Sequence, residues 1–214
     1  MTVIAPCITV ETAEAYKAQV ERLMPFAQRV HIDVTDGEFT PNFLLAEGAL
    51  YWPPEWKVDI HAMVKRPSEH LEQLIKLKPN LIIFHAEIEE DLLATVQAIK
   101  EQGIRVGLAL LRTTVPSTVS DAIKAVDHVM IFSGDLGKQG GTASMVQVEK
   151  ARLVKAINPN VEIGWDGGAT IDNVYTLSRG GISVINVGGA IAEAEDPQAM
   201  YVRLTQEINK QGVL

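Results

Sequence analysis

Eight short apolar stretches, each followed by a segment of helical character, run along this chain without a break, and no other feature restricts the fold as much. The stretches cover residues 3–10, 30–34, 57–64, 81–85, 105–110, 126–132, 161–165 and 182–187. Apolar spacing, with proline in a first turn or glycine at a stop, predicts helices over 11–26, 67–77, 89–102, 114–124, 143–157, 170–179 and 197–210. Residues 43–56 are poorly periodic and carry Trp52-Pro53-Pro54, which predicts a short helix and then a loop. Continuous apolar strands alternating with amphipathic helices imply a parallel sheet covered by helices. Eight such units favour a closed (β/α)8 TIM barrel over an open doubly wound sheet. No linker or shift of composition interrupts the series, so residues 1–214 read as a single barrel domain.

Composition narrows the function classes. The 214 residues are 47% hydrophobic and carry a net charge of -8, which argues against a nucleic-acid surface. No apolar run is long enough to span a bilayer, and no signal-peptide pattern opens the chain. The lone cysteine, Cys7, rules out an internal disulfide framework and fits a reducing compartment, so the expected location is cytoplasmic.

Reactive groups of such a barrel sit at the carboxyl ends of its strands. His31 and Asp33 end the second strand, and as residues i and i+2 they project to one side. His61 ends the third strand, His85 the fourth, and Asp166 the seventh, within Gly164-Trp165-Asp166-Gly167-Gly168. Two histidines and two aspartates make a four-ligand site for a divalent transition metal: zinc, iron(II), manganese or cobalt rather than magnesium. Gly167-Gly168 and Gly188-Gly189 follow strands seven and eight, where barrels bind phosphate through close backbone approach and the start of a short helix, here AIAEAE. His70 falls on a predicted helix and is expected at the surface, whereas His128 begins strand six and is expected to be structural. Asp36 has the wrong parity to join Asp33 and reads as a loop cap.

These motifs together resemble the ribulose-phosphate 3-epimerase family along nearly the whole chain. HIDVTDGEFTPN is similar to its His-Ile-Asp-Val-Met-Asp-Gly-His-Phe-Val-Pro-Asn signature, DIHAMV to its third-strand His-Leu-Met-Val, and IIFHAE to its fourth strand. IGWDGGAT is similar to its Val-Asp-Gly-Gly-Val turn and NVGGAI to its Gly-Ser-Ala-Ile phosphate turn. The resemblance implies a barrel of the ribulose-phosphate-binding type, with a metal held by His31, Asp33, His61 and Asp166, whereas His85 aligns with a fourth-strand histidine of the family and reads as a residue behind the ligands or in the core, not as a ligand. It implies Asp33 and Asp166 as acid and base, one removing the C3 proton of a ketose phosphate and the other returning it on the opposite face. The metal stabilises the resulting enediolate, and no organic cofactor is required. Cys7, Met63, Met130, Gly137, Gly167, Gly168, Gly188 and Gly189 are implied as substrate contacts. The partner is a small sugar phosphate, and association with further copies of the chain is left open.

The chain departs from the family in three places. Cys7 stands where the family has a serine, and Thr35 where it has a methionine. The sixth loop, Asn-Pro-Gly-Phe-Gly-Gly-Gln in the family, reads here Ser133-Gly134-Asp135-Leu136-Gly137-Lys138-Gln139 and continues to Thr142. Lys138 reads either as a solvated residue or as a phosphate partner. Ribulose 5-phosphate is the first candidate substrate and allulose 6-phosphate the second. A phospho-sugar decarboxylase would need an Asp-x-Lys-x-x-Asp array that KVDIHAMV lacks, and a non-catalytic phosphosugar binder would have no use for all four ligands.

Overall fold

The computed structural model of the chain describes residues 2–138 and 140–210. Its strands are β1 Val3–Ile8, β2 Arg29–Thr35, β3 Lys57–Met63, β4 Leu81–His85, β5 Arg105–Leu110, β6 His128–Phe132, β7 Glu162–Asp166 and β8 Val184–Val187. They pair in parallel, in chain order, and β8 returns to β1 to close the barrel. The helices are α1 Ala13–Leu23, α2 Pro67–Lys76, α3 Leu92–Lys100, α4 Ser120–Ala125, α5 Glu149–Ile157, α6 Val174–Arg179, α7 Gly189–Ala192 and α8 Pro197–Asn209. The expected (β/α)8 architecture is therefore the observed one, with α7 as an extra short turn before α8.

Helices α1 and α3 begin later than their apolar spacing suggests, because polar caps cut them off, and α8 begins behind its cap as expected. The Thr12 side chain accepts from Ala15 N–H at the start of α1, Asp91 from Leu93 N–H at α3, and Asp196 from Ala199 N–H at α8. Each cap satisfies a donor that the first helical turn leaves free, so the helix begins there. The segments expected as helix over 114–124 and 143–157 begin as 3-10 turns, Pro116–Val119 and Met145–Val148. The short helix expected within 43–56 is the 3-10 turn Glu47–Ala49.

Strand parity sorts the side chains into two layers. Val30, Ile32, Val34, Val58, Ile60, Ala62, Ile82 and Phe84 face outward and pack with Leu23, Leu74, Ile99 and Val154 of the helices. Each valine, isoleucine, leucine or phenylalanine among them contributes about 1.5–3 kcal/mol on burial. Inside the barrel, Leu81, Ile83, Ala109, Met130 and Phe132 form a second, smaller apolar cluster. Below it, at the amino ends of the strands, the interior is closed by charge. The Arg29 guanidinium donates to Asp59 at 2.6 Å and to both oxygens of Glu162 at 2.9 and 2.8 Å. His128 Nδ1 lies 2.9 Å from Glu162, and Asn80 donates to Asp59. His128 is thus structural, as expected, and this floor leaves the opposite rim for chemistry.

Candidate active site

Strand register assembles the site. On β2 and β3, Asp33 pairs with His61; on β1 and β2, Cys7 with His31; on β6 and β7, Phe132 with Asp166. Closure of the barrel then carries Asp166 across to the β2–β3 pair. His61 Nδ1 and His31 Nε2 lie 2.9 and 3.2 Å from Asp33 Oδ1, and each lies 3.8 Å from Asp166 Oδ2. One ligand atom from each of the four residues falls within 4.8 Å of the others.

The surroundings of these groups are strongly polarised. Burial raises the Asp33 carboxyl, but the His31 and His61 imidazoles beside it outweigh burial and hold it well below the usual carboxylate range. Burial also pushes the Asp166 carboxyl up; the His31 imidazole opposes this, the negative Asp33 adds to it, and the net shift is upward. Desolvation disfavours a charged His31, yet the neighbouring Asp33 carboxylate raises it on balance. The two ring nitrogens of His31 are fully buried and, among the described residues, lack any aligned hydrogen-bond partner. An orphaned imidazole facing two carboxylates is costly unless a cation completes it. The donor set, two imidazoles and two carboxylates, therefore fits a divalent transition metal.

Beside these groups opens a cavity of about 290 Å³. Asp33, Asp166, Cys7, Met63, Gly137, Gly167, Gly168, Gly188 and Gly189 line it. The volume lies near the lower end for small-molecule pockets. Gly167 and Gly168 adopt positive φ, +102° and +70°, and a Cβ at either would collide with the backbone of the loop after β6, 2.0 Å from Gly134 N and 2.1 Å from Ala143 N. Ser133 N–H donates to Asp166 O, Trp165 Nε1–H to Gly167 O and Asn173 to Gly168 O, which fixes the turn. The segment expected as a phosphate-facing helix is α7, one turn beginning at Gly189. Loop six closes over the cavity. Asn42 donates to Gly137 O at 3.0 Å, Thr40 to Leu136 O, and Arg112 bonds Gly134 O and Asp135 at 2.9 Å. Lys138 lines the cavity and is exposed. Gln139, part of the loop-six resemblance, lies outside the described residues.

Two expectations need correction. Met130 is not at the cavity wall; it is fully buried beneath it, with its Sδ accepting from Asn186, because its strand position points it into the interior cluster. His70 is half-buried rather than a surface residue, since Glu47 of the loop before β3 lies 2.7 Å from its Nδ1. Asp36 caps its loop as expected, accepting from Glu38, Phe39 and Lys65 N–H. Asn186 and Thr9 also line the cavity and were missed by the sequence reading. Thr9 donates to Asp33 Oδ2 at 2.6 Å. The signal for Thr9 was available: it lies two residues beyond Cys7, on the same side of the chain.

A model of the ribulose-phosphate 3 epimerase family matches residues 3–192. The chain belongs to the ribulose-phosphate 3-epimerase family. Among curated family members, the ribulose-phosphate 3-epimerase of Aquifex aeolicus is 29% identical over 185 residues, 83% of either chain. That of Schizosaccharomyces pombe is 25% identical over 214 residues, 97% of this chain and 94% of the relative. Among solved structures, 3-hexulose-6-phosphate synthase from Salmonella typhimurium superposes with a TM-score of 0.72 at 16% identity, over 97% of this chain and 98% of that one, a likeness of fold. As a member of the epimerase family the chain is an isomerase acting on carbohydrates. No helix among its described residues is long and apolar enough to cross a membrane.

Proposed function

We propose that this epimerase inverts C3 of a ketose phosphate with the aid of a divalent metal, interconverting ribulose 5-phosphate and xylulose 5-phosphate in the cytoplasm. The observation that carries the reading is the meeting of His31, Asp33, His61 and Asp166 within 4.8 Å at the wall of a glycine-lined cavity. Those four residues would hold zinc, iron(II), manganese or cobalt, whose charge favours the oxyanion that develops on the substrate. No organic cofactor is needed.

In this reading the two carboxylates divide the proton transfers between them. A hydrogen on C3 is weakly acidic because C2 is a carbonyl. One aspartate carboxylate accepts that proton; the C3–H electron pair forms the C2–C3 double bond, and the C2 oxygen takes the negative charge. The other aspartate delivers a proton to C3 from the opposite face, which inverts the centre without turning the intermediate over. Thr9, donating to Asp33 Oδ2, holds that carboxylate in one orientation. The paired glycines 167–168 and 188–189 bring backbone N–H groups up to the phosphate. Loop six, tied down by Asn42 and Arg112, keeps water away from the intermediate.

The test is exchange of the C3 hydrogen with deuterated solvent, measured by NMR with each of the four metals, on ribulose 5-phosphate and on allulose 6-phosphate. Exchange and epimerisation of the five-carbon substrate are expected. Preference for the six-carbon substrate would move the assignment to an allulose-6-phosphate epimerase, and binding without exchange under any metal would refute catalysis.

A further inference from the structure

Behind His61, on the side away from the carboxylates, a chain of hydrogen-bonding groups leads to the loop after β4. His61 Nε2 lies 2.8 Å from His85 Nε2, and His85 Nδ1 lies 3.3 Å from Glu87 Oε2. Both imidazoles are completely buried. Glu87 Oε1 is already occupied, accepting from Leu111 N–H at 3.1 Å and from the Thr114 hydroxyl. Lys150 steadies the same loop by donating to Leu111 O and Arg112 O.

We infer that His85 and Glu87 are positioning residues that fix which nitrogen of His61 is bare. This rests on the metal-site reading above. An ionised carboxylate only accepts, so His85 Nδ1 must carry the proton directed at Glu87 Oε2. A neutral, fully buried His85 then offers a lone pair at Nε2, and His61 Nε2 must donate to it. The remaining nitrogen, His61 Nδ1, is left bare, and it is the one that faces Asp33 and Asp166. Chain polarity thus aims a lone pair at the place where a cation is required. A ligating histidine whose other ring N–H is held by a fixed acceptor keeps one tautomer and one ring orientation, and here that acceptor is His85 Nε2.

Glu87→Gln tests this with almost no change of shape. Leu111 N–H can only donate, so it takes the amide oxygen, and the amide NH2 is turned toward His85. The polarity of the whole chain reverses, and His61 Nδ1 is protonated against the metal position. Two readouts separate this from loss of structure. Calorimetric titration with Co2+ is expected to show affinity about 10–100-fold weaker in Glu87→Gln, while the chelated variant unfolds close to the parent. Nitrogen-15 NMR of the imidazoles is expected to find His85 protonated at Nδ1 in the parent. Unchanged Co2+ affinity in the folded variant, or a parent His85 protonated at Nε2, would overturn the inference. Should the variant not fold, the parent tautomer decides alone. Should the parent take up no Co2+, the metal reading fails instead, and the tautomer still tests the relay.

Discussion

Replacing Gly168 with alanine measures how tightly the proposed phosphate turn is built. Gly168 has φ +70°, and a Cβ there would lie 2.1 Å from Ala143 N, 2.6 Å from Thr142 C and 2.8 Å from Ala143 Cα. All three are backbone atoms, so no rotamer change relieves the contact, and the segment 142–143 must move. Placing alanine in the left-handed region costs about 1–2 kcal/mol, and displacing packed structure adds about 1–3 kcal/mol, giving about 2–5 kcal/mol. At about 2–4 °C per kcal/mol for a chain of this size, the unfolding midpoint should fall by about 4–20 °C. Gly103→Ala is the matched reference: its φ is +74°, but among the described residues a Cβ there meets nothing within 4 Å. It carries only the conformational cost, so its midpoint should fall by about 2–8 °C. The difference isolates the steric part. If that part, about 1–3 kcal/mol, is felt by the phosphate, KM for the ketose phosphate rises about 5–150-fold, while kcat/KM for the unphosphorylated ketose stays near the parent value. Thermal melts and steady-state kinetics on both sugars decide it. A Gly168→Ala variant that melts with Gly103→Ala, and keeps the parent KM, would refute the idea that turn and loop interlock to grip the phosphate.

Other outcomes follow from the same geometry. Asp33→Asn and Asp166→Asn should each slow epimerisation by at least about 10²–10⁴-fold; near-parent turnover in either would remove that carboxylate from the chemistry. Chelation should abolish exchange, and re-addition of metal at about 100 times its Kd should stabilise the fold by about 2.7 kcal/mol, visible as a higher melting midpoint. The floor of the barrel predicts an acid limb. Burial raises the Glu162 carboxyl, but Arg29 and His128 outweigh burial and depress it in the folded state. A depressed carboxylate adds stability above its unfolded value, 4.5, that is lost as pH falls through the folded one. Glu162→Gln should therefore show a shallower loss of stability below about pH 4.5 in urea unfolding; an unchanged acid limb would contradict the pairing with Arg29.

What this chain determines locally is its alternation. Short continuous apolar strands and amphipathic helices are written in neighbouring residues, so eight β/α units and the shared side of His31 and Asp33 are legible before any fold is known. Helix ends are less so: the caps at Thr12 and Asp91 are visible in sequence, but apolar spacing continues past them, whereas the start of α8 behind Asp196 was legible. The family motifs carried the candidate ligands, because those residues recur at fixed places around the strands.

Contacts between residues far apart in the chain were decided only by closure. The strand register that sets Asp33 beside His61, and the arc that brings Asp166 to them, depend on eight strands meeting at one shear. So do the sinking of Met130 beneath the cavity, the pairing of Arg29 with Glu162, and the approach of Thr9 to Asp33. Loop six shows the difference most plainly. Its glycines announce a turn, yet its position over the cavity is set by Asn42 and Arg112, residues of two other loops. Local sequence specifies which way a side chain points; which partner it meets is a property of the closed barrel, where the free energy of burial selects one register for all eight strands together.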